Sequence, residues 1–206
     1  MYRVGQEGLS ETLPVVYLVR HGETAWSVVG RHTGLTDLPL TARGEQSARG
    51  LVDRLRGLEF AQVFVSPLQR AAHTCALAGF AGVAKTDRDL VEWDYGRFEG
   101  LTAQEIRADR PGWRLFRDGC PGGETLADIR ARADRVVQRV SAVGGDVLLF
   151  SSGHFLRVLA ARWLKEDATA GRHFVLGTAA LCALGYDHDR SEPAIRLWNQ
   201  LPHADA

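Results

Sequence analysis

Short apolar runs alternate with longer amphipathic stretches along most of the chain. Pro14 to Val19 (PVVYLV) is apolar and β-branched, which predicts a buried strand ending on Arg20-His21-Gly22-Glu23. A loop to Leu40 comes next. Thr41 is then placed to N-cap a helix over 42–57 with Ala48, Leu51, Val52 and Leu55 on its inner face. Ala61 to Val65 (AQVFV) predicts a second strand, and Ser66-Pro67 opens a helix to Ala78 that carries Arg70 in its first turn. Ala84 to Thr86 reads as a short strand, and Thr102-Ala103-Gln104-Glu105 as a capping box that starts another helix.

The glycine- and proline-rich segment 117–124 (RDGCPGGE) predicts a loop, either a lid hinged by its glycines or a surface crossover. Beyond it a long amphipathic helix spans about 125–142, with Leu126, Ile129, Ala133, Val136, Val137 and Val140 on one stripe. Arg130, Arg132, Arg135 and Arg139 lie opposite that stripe and are expected on a solvated face. Asp146 to Phe150 (DVLLF) is another buried strand, ending in Ser151-Ser152-Gly153-His154, with a helix to about Leu164. Ala179–Tyr186 and Ala194–Trp198 complete the set of strands. Strands alternating with helices, without repeats or a linker, predict an α/β fold around a mostly parallel sheet. One domain over 14–200 is expected, after a polar lead-in at 1–13 and before a tail at 201–206. In such sheets ligands bind beyond the carboxyl ends of the strands, the edge that collects His21, the Arg70 region and His154.

Composition narrows the partners. Basic and acidic residues both number 25, so no bulk field favours nucleic acid or an anionic membrane. All but Lys85 and Lys165 of the cations are arginine, suited to forked recognition of phosphate, although compositional bias is the better account of this. Cys75, Cys120 and Cys182 are too few and too scattered for a disulfide framework or a zinc site. No apolar run approaches the roughly 20 residues of a membrane span, and no signal-peptide pattern opens the chain. The default expectation is cytoplasmic, without metal or cofactor; the oligomeric state is not legible.

The polar turns suggest phosphoryl chemistry. A phosphomonoester dianion repels nucleophiles and has a poor leaving group, so a catalyst supplies a nucleophile, cations for the equatorial oxygens and an acid. Neutral imidazole at His21 is a suitable nucleophile near pH 7. Arg20 and Arg70 can clamp the phosphoryl oxygens. Glu92, in the loop Val91-Glu92-Trp93-Asp94-Tyr95-Gly96, is a candidate acid, and a neighbouring phosphoryl dianion would favour its protonated form. Each of these residues alone has an ordinary structural reading; their joint arrangement raises the functional one.

Leu18-Val19-Arg20-His21-Gly22-Glu23-Thr24 resembles the signature of the histidine phosphatase (phosphoglycerate mutase-like) superfamily. The likeness continues through Gly34–Thr41, Ser66–Ala71, Glu92–Gly96 with Phe98–Gly100, and Gly153–Arg157, in the family's order over nearly the whole chain. The resemblance implies a three-layer α/β/α sandwich. It also implies a phosphorylated His21, phosphate binding by Arg20 and Arg70, and proton transfer by Glu92. Ser27, Thr33, Gly34 and Tyr95 are further expected substrate- or phosphate-binding positions, as are Ser152, Gly153 and His154. The chain departs from the pattern at one place: Ser152 stands in the slot of a second pocket histidine, with His154 two positions on. A serine brings no positive charge; His154 either swings in to restore it, contacts the rest of the substrate, or merely packs.

Mutases of the family carry an asparagine where Ser27 stands, a lysine where Ala103 stands and a paired arginine in an insertion not found here. A hydrolase of small phosphomonoesters is therefore expected, similar to the acid phosphatase and sugar-bisphosphatase branch. The alternatives are a phosphoglycerate mutase-type phosphotransferase and a weakly active phospho-ligand-binding regulator. Trp93, Tyr95 and His32 are candidate walls for the leaving group, with only one of Trp93 and Tyr95 expected to touch it. His73, His173, His188 and His203 are expected to play no part.

Overall fold

The computed structural model describes residues 13–202, so the lead-in expected at 1–13 falls outside them except for Leu13, and His203 with the end of the tail falls outside entirely. The elements in chain order are β1 (Val16–Arg20), α1 (Ala25–Val28), α2 (Ala42–Arg49), α3 (Leu51–Arg54), β2 (Gln62–Val65), α4 (Gln69–Leu77) and β3 (Lys85–Thr86). They continue with α5 (Ala103–Asp109), α6 (Leu115–Asp118), α7 (Leu126–Ser141), β4 (Val147–Ser151), α8 (Gly153–Trp163), β5 (Leu181–Tyr186) and β6 (Pro193–Gln200).

The six strands form one sheet in the order β3-β2-β4-β1-β5-β6. The first four run parallel, while β5 pairs antiparallel with β1 and β6 antiparallel with β5. All five β4 residues are buried, because this central strand is covered on both faces. Its side chains alternate between two apolar clusters. Val147 and Leu149 join Leu18, Leu184 and the inner stripes of α7 and α8; Leu148 and Phe150 join Val19, Val63, Val65, Leu51 and Ala71 on the opposite face. Helices on both sides of a mostly parallel sheet give the three layers expected from the sequence.

Three local expectations need correction. The helix expected over 42–57 breaks at Gly50 into α2 and α3, which turns Val52 outward to 44% exposure while Ala48, Leu51 and Leu55 stay buried. The loop expected before Leu40 contains α1, started by a capping box in which Thr24 and Ser27 exchange side-chain and backbone bonds. The segment 117–124 is not all loop, since Arg117 and Asp118 end α6. Its remainder is strapped to residues 94–97: Arg97 N–H donates to the Pro121 carbonyl at 3.0 Å and Glu124 N–H to the Asp94 carbonyl at 3.0 Å.

The fold brings two strand ends together. β1 and β4 lie side by side with Arg20 opposite Ser151, and the His21 amide donates to the Ser151 carbonyl at 2.9 Å. The next residues, His21 and Ser152, each precede a glycine. Gly22 must be small, because a Cβ there would sit 2.5 Å from the Gly44 carbonyl oxygen on α2. Gly153 is also constrained, since a Cβ would sit 3.2 Å from the Arg20 guanidinium.

Candidate active site

A cavity of about 160 Å³ opens at these strand ends. His21, Arg20, Glu92, Tyr95, Gly153 and His154 line it, as do Ser27, Thr33 and His32. His21 is 3% exposed and its Nδ1 lies 2.7 Å from the Gly22 carbonyl oxygen. A carbonyl only accepts, so Nδ1 carries the proton and Nε2 keeps its lone pair. Burial, reinforced by the Arg20 and Arg70 charges, holds this imidazole well below the usual histidine range. His21 is therefore neutral at pH 7, the form a nucleophile needs.

Arg20 reaches the site from the last residue of β1, with one guanidinium nitrogen donating to the Leu176 carbonyl at 2.5 Å. Arg70, fully buried in the first turn of α4, is held by the Thr33, Gly34 and Thr36 carbonyls at 3.0, 2.7 and 2.9 Å. It stands behind the cavity wall rather than in it, close enough for its charge to act on His21. Among the described residues, four buried side-chain polar atoms have no partner, and three of them belong here: Arg20 Nε, Arg70 Nε and Ser152 Oγ. Donors left unpaired in a buried site cost stability unless a ligand takes them, and an oxyanion would.

Glu92, 4% exposed, holds the N-terminus of α8. One carboxylate oxygen accepts from the Trp93 amide at 2.9 Å and the Phe155 amide at 2.8 Å; the other accepts from the His154 amide at 3.0 Å. Glu92 thus does the capping that Ser152, the N-cap residue, leaves undone. The backbone behind Glu92 is fixed by Arg132, which is 6% exposed and not on the solvated face expected for it. Arg132 donates to the carbonyls of Asp89, Val91 and Glu92 and forms an ion pair with Glu124 at 2.7 Å. Arg135 and Arg139 pair with Asp89, so this face of α7 is engaged with the acid loop.

His154 answers the question raised by Ser152 in a specific way. Its Nδ1 lies 2.6 Å from the Tyr95 hydroxyl, and burial with the Arg157, His32 and Arg20 charges holds it well below the usual histidine range. Tyr95 is pushed well above the usual phenol value by burial, so it stays a donor. The neutral His154 ring and the protonated Tyr95 hydroxyl thus share one hydrogen bond. His154 lines the cavity as a neutral ring, so of the three roles open to it the restoring of a positive charge is the one its surroundings oppose.

The other expected positions divide. Tyr95 lines the cavity, whereas Trp93 does not and has its indole N–H on the Glu124 carbonyl. The Ser27 hydroxyl is spent on its capping box, and the Thr33 hydroxyl on the Arg31 carbonyl. The Gly34 amide is taken by the Glu99 carboxylate at 2.9 Å, so Gly34 supports Arg70 through its carbonyl rather than facing the cavity. His73 is exposed on α4. His188, expected to be without a partner, bonds Glu192 at 2.9 Å on the surface. Sequence reasoning missed Arg157, which lines the cavity one turn into α8; its spacing of four from Gly153 was the available signal. The three cysteines are free and buried, with burial pushing Cys75 and Cys120 up to about 12 and Cys182 to about 11, too high for thiolate chemistry. Among the described residues no helix is long and apolar enough to cross a membrane.

Comparison with known proteins identifies the family. The model of the histidine phosphatase superfamily (branch 1) matches residues 16–201. An acid phosphatase of Mycobacterium tuberculosis (strain ATCC 25618 / H37Rv) is 40% identical over 185 residues, covering 86% of this chain and 89% of that protein. The sedoheptulose 1,7-bisphosphatase of Saccharomyces cerevisiae (strain ATCC 204508 / S288c) is 37% identical over 183 residues, covering 73% of this chain and 67% of that protein. The solved structure of the open reading frame Rv3214 from Mycobacterium tuberculosis superposes with a TM-score of 0.87 at 37% identity, covering 92% of this chain and 99% of that one.

Proposed function

Because the chain belongs to the histidine phosphatase superfamily (branch 1), we propose that it is a metal-independent phosphatase of small phosphomonoesters, acting through a phosphohistidine at His21. The observation that carries this reading is a buried, neutral imidazole with Nδ1 tied to the Gly22 carbonyl, surrounded by unpaired arginine and serine donors. The relatives named as acid phosphatase and sugar bisphosphatase support the reaction class.

The chemistry proceeds in two displacements. His21 Nε2 attacks phosphorus, forming an N–P bond as the P–O bond to the leaving group breaks. Glu92, protonated, gives its proton to the departing oxygen. Positive charge grows on the ring and is offset by the Nδ1–H bond to the Gly22 carbonyl. Arg20 and Arg70 offset the phosphoryl oxygens, supplying from fixed guanidiniums the charge that a metal ion provides in other phosphatases. Water then attacks phosphorus, Glu92 takes its proton, and the P–N bond breaks to release phosphate and neutral His21.

The test is a panel of sugar phosphates, sugar bisphosphates and phosphoglycerates, assayed for released phosphate with and without EDTA. Hydrolysis unchanged by EDTA is expected. Loss of activity with EDTA would contradict the metal-independent mechanism, and isomerised phosphoglycerate exceeding free phosphate would identify a phosphotransferase.

A further inference from the structure

Glu92 sits in a segment that no ladder holds. Residues 91–95 belong to no helix or strand and join two single turns, at 88–90 and 96–98. Backbone carbonyls and amides withdrawn from water still require partners. An ion pair supplies them at Asp89, Val91, Glu92 and Asp94. Arg132 on α7 uses all five of its side-chain N–H donors. Two go to the Glu124 carboxylate at 2.9 and 2.7 Å, and three to the carbonyls of Asp89, Val91 and Glu92 at 2.8, 2.7 and 3.2 Å. Glu124 grips the other side of Glu92. Its carboxylate accepts from the Asp94 amide at 3.0 Å, its amide donates to the Asp94 carbonyl at 3.0 Å, and its carbonyl accepts from the Trp93 indole at 2.9 Å.

The pair also reaches the far end of the Glu92 side chain. The Arg132 guanidinium lies 4.5 Å from the centre of the Phe155 ring, and the Phe155 amide is one of those that hold the Glu92 carboxylate. Gly123 keeps Glu124 close, since a Cβ there would sit 2.2 Å from the Asp94 carbonyl oxygen. The two charged side chains are only 7% and 21% exposed, so removing one leaves the other poorly solvated and unpaired. Yet neither Arg132 nor Glu124 lines the catalytic cavity. Their route to the reaction is therefore the place at which the Glu92 carboxyl group stands.

We propose that Arg132 and Glu124 are positioning residues for the acid: together they set the 89–94 backbone so that Glu92 meets the leaving-group oxygen. The inference rests on the phosphatase reading and deepens it. It separates two jobs within the site. Arg20 and Arg70 serve the phosphoryl group, whereas the Arg132–Glu124 pair serves only the proton.

Two aryl esters read this separation. Phenoxide is a poor leaving group and needs the proton from Glu92, whereas 2,4-dinitrophenolate departs without it. The experiment measures kcat/KM, which covers the steps through release of the phenol, for phenyl phosphate and 2,4-dinitrophenyl phosphate. Wild type is compared with R132K, which keeps the charge but loses the fork, with E124Q, which keeps the shape but loses the charge, and with R130Q as a surface control on the same helix. In R132K and E124Q, phenyl phosphate is expected to lose about 30-fold or more and 2,4-dinitrophenyl phosphate no more than about threefold. The inhibition constant of inorganic phosphate should stay within about twofold of wild type, and R130Q should match wild type on both esters. Equal losses on the two esters, no loss on either, or weakened phosphate binding overturns the proposal; E124Q decides if R132K does not fold. A wild type inactive on both esters sinks the phosphatase reading and this inference with it, whereas an active wild type with an unchanged ester ratio in the variants sinks the inference alone.

Discussion

Two neighbouring turns share a backbone plan and differ in what they deliver. β1 and β4 run parallel and in register, Arg20 against Ser151, and each leads into a residue that precedes a close-packed glycine. The first turn delivers His21, with one nitrogen tied down and the other free. The second delivers Ser152, whose hydroxyl is fully buried and bonds to nothing. The imidazole associated with the second turn comes two residues later, from His154 in the first turn of α8, and Tyr95 holds it. The difference teaches that the scaffold fixes where a side chain enters the site, and the side chain decides its job. The first turn is equipped for bond making. The second retains only neutral hydrogen-bond donors.

The sharpest way to break the comparison is to make the first turn a copy of the second. His21→Ser should lower kcat by about 10³-fold or more, because a hydroxyl there has no base placed to activate it. Residual turnover near the wild-type rate would mean the turns are chemically interchangeable.

Protonation probes both turns next. His21 and His154 are both held neutral in the fold, so below about pH 6.5 the unfolded chain takes up protons that the folded chain refuses. Stability contributed by these groups is thus present above that pH and is lost as the pH falls below it. Each contributes a slope that rises to about 1.4 kcal/mol per pH unit once the unfolded imidazole is fully protonated. Thermal melts between pH 7.5 and 5.5 should show the decline, and H21S should show a shallower one. An equal slope in H21S would contradict the claim that the fold holds His21 neutral.

Ser152→Ala isolates the second turn. With no partner for its hydroxyl, the loss should leave stability unchanged or slightly raised. If the hydroxyl serves phosphate, KM should rise about three- to tenfold with kcat less affected. An unchanged KM with lowered stability would make Ser152 a structural residue.

The smallest effect belongs to Tyr95→Phe, which frees His154 Nδ1 without touching His21. A cost of about 1 kcal/mol in stability is expected from the lost bond, with a kcat/KM decrease of a few fold. A decrease matching that of H21S would place Tyr95 in the chemistry itself.

Much of this was legible in the sequence, for identifiable reasons. The apolar runs before His21 and Ser151 announced central strands, and parallel central strands bring the residues after their last positions to one sheet edge. Ser66-Pro67 announced the helix of Arg70 two residues before its start, and the resemblance of Ser66–Ala71 to the family singled the arginine out. The features that escaped were set by tertiary contact. Arg132 has the helical spacing of a solvent-facing residue, yet the acid loop folds over it and its donors fill with carbonyls. How α6, α8 and the 168–173 turn meet, and with it a second cavity lined by Trp113 and Phe116, is recorded by no local pattern. The neutrality of His154 was equally invisible, since it comes first from burial, then from Arg157 three residues on and from His32 and Arg20 far away in sequence.

The central claim is that His21, and no residue of the second turn, carries the phosphoryl group. Brief reaction with a ³²P-labelled phosphomonoester, an alkaline quench and peptide mapping tests it most directly. The account predicts an acid-labile, base-stable label on the peptide containing His21, absent in H21S. Label on Ser152 or His154, or turnover at the wild-type rate with no label retained on the protein at any time, would contradict it.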